Sequence, residues 1–155
     1  IEGEVIDMAP IGSKHASVVA QLARRVMNAV GDAAIVYIQN PILLPTDSEP
    51  QPDLTLLKPR TDFYAGGHPG PDDILLVIEV ADTSLRYDRE VKLPLYARHG
   101  IPEVWLIDLE SRRIEAFRDP SGGTFALSMV VDPSGRLAPV ALPEVDVDLA
   151  GLLGF

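Results

Sequence analysis

Glu79 interrupts the most apolar stretch of the chain, Ile74-Leu75-Leu76-Val77-Ile78-Glu79-Val80-Ala81. Glutamate is rarely buried unless it is paired, and an isolated carboxylate among apolar side chains is costly. Glu79 must therefore meet a cation, a metal or strong donors, unless a strand end lets it reach solvent or an arginine. Asp53 opens another strand-like stretch directly after Pro52, where proline–aspartate is also an ordinary turn pair. The two acids together say more than either alone. Carboxylates on neighbouring strands can converge on a hard divalent cation such as Mg²⁺, which takes one or two of them and fills its shell with water and phosphate oxygens. Lys92 adds a positive charge close by. Asp88, Lys92 and Tyr96 recur every four residues, so an unbroken helix carries all three on one face, although Asp88 and Lys92 also read as a solvated surface pair. His15 lies one turn before Val18, Val19 and Leu22, an ordinary place for a partly buried, satisfied histidine.

The elements that must position these residues follow from periodicity and punctuation. Glu4 to Met8 reads as a short strand ended by Pro10 and Gly12. Ser13 is expected to cap a helix whose apolar positions are Val18, Val19, Leu22, Val26, Ala29 and Val30, with Gly31 ending it. Strands are expected at Ala33–Ile38, Asp53–Leu57 and Ile74–Ala81, with a brief pairing at Ile42–Leu44 and a Gly/Pro-rich excursion at Lys58–Asp73. The last of these strands lacks alternation, so both its faces should be covered. Ser84 to His99 reads as helix closed by Gly100, with Pro94 kinking or dividing it. Val104–Leu109 and Arg113–Arg118 read as a hairpin, followed by a strand at Thr124–Val131, one more short strand and a helical turn near Asp148–Leu153. Helices before and after a central group of strands give an α/β fold with a mixed sheet.

With 155 residues, 46% of them apolar and 23% charged, the chain is expected to form one domain over residues 1–155 with its own core. The absence of cysteine excludes thiol catalysis, disulfides and cysteine–zinc sites. Apolar runs such as Ile74–Ile78 fall far below the ~20 residues of a membrane span. The start, Ile1-Glu2-Gly3-Glu4, carries no secretory signal and no initiator Met, so a trimmed, cytoplasmic protein is expected. A net charge of −10 is adverse for binding nucleic acid. Between Arg86 and Arg118, however, seven basic residues meet six acidic ones, which leaves the acidity elsewhere.

Pro52-Asp53, the stretch Ile78-Glu79-Val80-Ala81-Asp82-Thr83-Ser84 and the long run from Tyr87-Asp88-Arg89-Glu90-Val91-Lys92 through Trp105-Leu106-Ile107-Asp108 resemble the Uma-two family of restriction endonucleases, within the PD-(D/E)XK nuclease superfamily. The resemblance covers essentially the whole chain. It implies a restriction-endonuclease-like three-layer α/β/α domain with a central mixed sheet holding Mg²⁺ or Mn²⁺. Carried over by position, Asp53 matches the first metal-binding aspartate, Glu79 the second acidic ligand, and the backbone carbonyl of Val80 a further ligand. The superfamily motif has lysine two residues after the glutamate, where this chain has Ala81, and Lys92 on the next helix is the candidate for a relocated lysine. The implied activity is metal-assisted hydrolysis of DNA phosphodiester bonds, with His15 at most in a supporting place. Two other readings stay open: a nuclease-fold binding module without turnover, suggested by Ala81 and the acidic charge, and a metal-dependent phosphoesterase acting on another substrate. A homodimer suits an enzyme that cuts both strands of a symmetric duplex.

Overall fold

The computed structural model describes residues 12–45 and 48–154, so the strand expected at Glu4–Met8 lies outside the described residues. Helix α1 spans Ser13–Val30. Its N-cap is Gly12, whose carbonyl accepts the Ala16 N–H at 3.0 Å, so Ser13 is the first helical residue and not the cap expected from its type. At the other end Gly31 takes φ 51° and donates its N–H to the Met27 carbonyl, which stops the helix where the glycine was expected to.

Strands β1 (Ile35–Ile38), β2 (Leu54–Leu57), β3 (Ile74–Ala81), β4 (Glu103–Asp108), β5 (Arg113–Ser121) and β6 (Thr124–Val131) form one sheet in sequence order. Only β3 and β4 run parallel; the remaining neighbours are antiparallel. A parallel pair needs a long crossover. The segment between them supplies it as α2 (Leu85–Tyr87), a π-helical turn (Asp88–Lys92) and α3 (Leu93–Arg98). Pro94 therefore does not divide the helix into two separate pieces. The turn before it widens instead, and the proline sits at the start of α3. Gly100, at φ 74°, then reverses the chain toward β4. Strands β7 (Arg136–Leu137) and β8 (Val147–Asp148) make a separate antiparallel pair.

Two apolar clusters lie on the two sheet faces and give the expected three layers. Val18, Leu22 and Val26 of α1 pack with Leu76, Ile78 and Val80 of β3 and with Trp105 and Ile107 of β4. Leu95 and Tyr96 of α3 pack with Val77, Leu57 and Val104 on the other side. β3 is thus covered on both faces, as its unbroken apolar run requires. Fully burying a side chain such as Leu22 contributes roughly 1.5–3 kcal/mol. Among the described residues no helix is long and apolar enough to cross a membrane.

One buried charge belongs to this scaffold. Glu103, at the start of β4, is fully buried and accepts hydrogen bonds from Arg118 Nε at 2.7 Å, Trp105 Nε1 at 2.8 Å and the Val140 N–H at 2.8 Å. Four donor and acceptor groups from β4, β5 and the C-terminal segment are thereby satisfied together.

Candidate functional site

The β2–β3 register pairs Leu54 with Ile78, which sets Asp53, just before β2, beside Glu79 near the end of β3. Backbone and side chain interlock there. The Val80 N–H donates to Asp53 Oδ2 at 2.8 Å, and the Asp53 N–H donates to Glu79 Oε1 at 3.3 Å. The sequence could not tell whether Glu79 reaches solvent. It does not: Glu79 is 2% exposed.

Its partners come from the crossover helix. Lys92 Nζ lies 3.0 Å from Glu79 Oε2 and 3.5 Å from Asp88 Oδ1, and the Tyr96 hydroxyl donates to the same Glu79 Oε2 at 2.7 Å. Asp88 is itself buried and accepts from the Ser84 hydroxyl at 3.1 Å. The helical face expected to carry Asp88, Lys92 and Tyr96 is therefore real, and it is not solvated. On the α1 side, His15 Nε2 lies 3.2 Å from Asp53 Oδ1. This agrees with the partly buried, paired histidine expected there, and adds that its partner is Asp53. Its position one turn ahead of the apolar stripe was the available signal, but nothing in that spacing points to Asp53. Ser84 is the residue that sequence reasoning missed, although it falls one four-residue step before Asp88, Lys92 and Tyr96.

The electrostatics follow from one ammonium facing several carboxylates. Burial raises the Glu79 pKa to about 7, opposed by Lys92 and reinforced by the charges of Asp53 and Asp88. Burial also raises the Asp88 pKa, again opposed by Lys92. For Lys92, burial works against the charged form, but the attraction of Glu79, Asp88 and Asp53 exceeds it and holds the lysine well above the usual lysine range. The Tyr96 phenol is raised by burial and by the Glu79 carboxylate, so it remains a donor. The His15 pKa is raised chiefly by its hydrogen bond to Asp53, against the effect of burial, and the Val80 backbone acts in the same direction.

This donor set suits a hard divalent cation. Glu79 and Asp88 share the single Lys92 ammonium, and Asp53 Oδ1 faces His15, so the acidic cluster holds more carboxylate than one lysine neutralises. Among the described residues no group of three or more His, Asp or Glu side chains is placed to hold a metal ion, so these carboxylates alone do not make a complete site. Water and a phosphate would have to complete the shell, as is usual for Mg²⁺. A second ionic group flanks the site. Arg89 pairs with Glu115 of β5, and Arg113 lies 3.5 Å from the same carboxylate.

Residues 1–150 match the family model described as "Uma2: Putative restriction endonuclease". A crystal structure from Anabaena variabilis ATCC 29413, described as a "putative nuclease belonging to DUF820", superposes with a TM-score of 0.75 at 17% sequence identity, covering 99% of this chain and 88% of that one. That likeness establishes the same mixed α/β fold. No curated protein matches the chain.

Proposed function

Because the chain belongs to the Uma2 family of restriction-endonuclease-like proteins, we propose that it is a nuclease that hydrolyses DNA phosphodiester bonds with Mg²⁺ or Mn²⁺ held between β2 and β3. The observation that carries this reading is Lys92, whose ammonium lies 3.0 Å from Glu79 although Ala81 occupies the usual lysine position. A buried Glu79 needs a cation in any fold, but this one comes from another element to the acidic pair and so also stands where the superfamily lysine would act. That contact favours turnover over the non-catalytic reading.

In this reading Asp53 and Glu79 hold the ion, with the Val80 carbonyl beside them. When bound, such an ion polarises the scissile phosphate and lowers the pKa of a coordinated water. Lys92 places a compact positive charge where negative charge grows on the phosphate during attack. Tyr96 fixes Glu79 by donating to Oε2, and His15 fixes Asp53 from the opposite side. Buried partners of this kind hold ligand carboxylates in one orientation. Arg86 extends into solvent and pairs with Glu90 at 3.2 Å on the exposed surface, a weak contact that it can exchange for a DNA phosphate. The net charge of −10 then limits non-specific affinity without preventing a local contact.

Incubation of supercoiled plasmid with the protein and Mg²⁺ or Mn²⁺ tests this proposal. Nicked and linear products are expected from the wild type and not from Asp53→Ala or from samples with excess chelator. Product formation that survives both controls would be contamination. Its absence under every metal condition, with binding of DNA retained, would favour the non-catalytic module.

A further inference from the structure

The element that carries Lys92 is not a uniform α-helix. In the π turn of Asp88–Lys92 the Leu93 N–H reaches back five residues to the Asp88 carbonyl. Pro94 follows within two residues. Inside an α-helix a proline ring collides with the carbonyl four residues earlier, here that of Glu90, and gives it no N–H. Widening the preceding turn moves that carbonyl away from the ring.

The widened turn also changes which side chains align. An α-helix has 3.6 residues per turn, so side chains four apart drift by about 40°, and two such steps separate Asp88 from Tyr96 by about 80°. A π turn closes i→i+5 bonds and needs more residues per turn, so its four-residue step drifts the other way. The step from Asp88 to Lys92 thus offsets the step from Lys92 to Tyr96. The contacts agree: Lys92 Nζ touches both Asp88 and Glu79, and Tyr96 reaches the same Glu79 oxygen. π turns inside α-helices are rare and are frequent at functional sites.

We infer that Pro94 is a positioning residue that keeps the Asp88–Lys92 turn open and so sets the Lys92 ammonium against Glu79. The placement of Lys92 stands on this geometry alone, whereas its consequence for hydrolysis rests on the nuclease reading above.

Two readouts separate those parts. The first is acetylation of lysines by an N-hydroxysuccinimide ester, mapped by mass spectrometry, with the exposed Lys58 as internal reference. Lys92, 14% exposed and paired with two carboxylates, should be protected in the wild type. In Pro94→Ala and Pro94→Gln the turn can close to α, and Lys92 should react roughly ten-fold faster or more as its partners are lost. The second readout is plasmid hydrolysis. Each variant should be about 10- to 100-fold slower than wild type, as when an orienting partner is removed. Lys92→Ala combined with Pro94→Ala should be no slower than Lys92→Ala alone, because both act through one group. Wild-type protection of Lys92 in the two folded variants overturns the inference, as does a failure of both to fold, which would make Pro94 a requirement of the fold. Release of Lys92 with unchanged hydrolysis upholds the placement and refutes the catalytic part assigned to Lys92.

Discussion

Glu79→Gln isolates the cost of burying a carboxylate in this sheet. Burial and two neighbouring acids raise the Glu79 pKa from 4.5 to about 7. Across that interval the folded chain holds a proton that the unfolded chain has released, so this group's contribution to stability falls as pH rises from 4.5 to about 7. At ~1.4 kcal/mol per pK unit the loss is about 3 kcal/mol, a large part of a typical domain's ~5–15 kcal/mol. Glutamine keeps an acceptor for the Tyr96 hydroxyl and for Lys92, which retains Asp88 at 3.5 Å, but it cannot titrate. Urea unfolding of both chains in chelator, from pH 4.5 to pH 8, should show the variant gaining on the wild type by about 3 kcal/mol as pH rises. A flat difference would mean that Glu79 titrates like a solvated carboxylate. A difference of opposite slope would mean that Lys92 lowers its pKa below the unfolded value, and the account of the buried charges would be wrong.

Glu103→Ala should cost roughly 3–5 kcal/mol by urea unfolding, because it strands Arg118, the Trp105 indole and the Val140 N–H; a loss under 1 kcal/mol would refute the shared role given to that carboxylate. Leu22→Ala should destabilise by about 2–5 kcal/mol, since Leu22 is fully buried between α1 and the sheet, and a near-neutral result would show that α1 is poorly docked. His15→Ala should leave the thermal midpoint nearly unchanged while weakening Mn²⁺ binding about ten-fold, as Asp53 loses the group that orients Oδ1. Unaltered affinity would return His15 to the part of an ordinary, partly buried histidine.

The layers were legible because each element carries its own signal. The Val18–Val30 stripe marks α1, the unalternating run at Ile74–Ala81 marks a strand covered on both faces, and Glu110–Arg112 marks the hairpin turn, where Asp108 accepts the Glu110 and Ser111 N–H groups. The acidic pair was legible through the oddity of a glutamate in an apolar strand. What the sequence withheld was contact across elements. Ser13 has the residue type of a cap, but the entry geometry gives that place to Gly12. Pro94 announces a disturbance without saying whether the helix breaks or widens, since both relieve the same collision. His15 and Asp53 are separated by 38 residues and meet only because the first turn of α1 lies against the residue that precedes β2. No local pattern encodes that meeting.

Calorimetric titration of Mn²⁺ into the metal-free wild type, Asp53→Ala and Glu79→Gln tests the central claim most directly, because it asks for the ion without asking for a substrate. The wild type should bind measurably, Asp53→Ala should lose binding, and Glu79→Gln should bind at least about ten-fold more weakly. Equal binding by all three chains would place the ion elsewhere and contradict the assignment of Asp53 and Glu79 as its ligands.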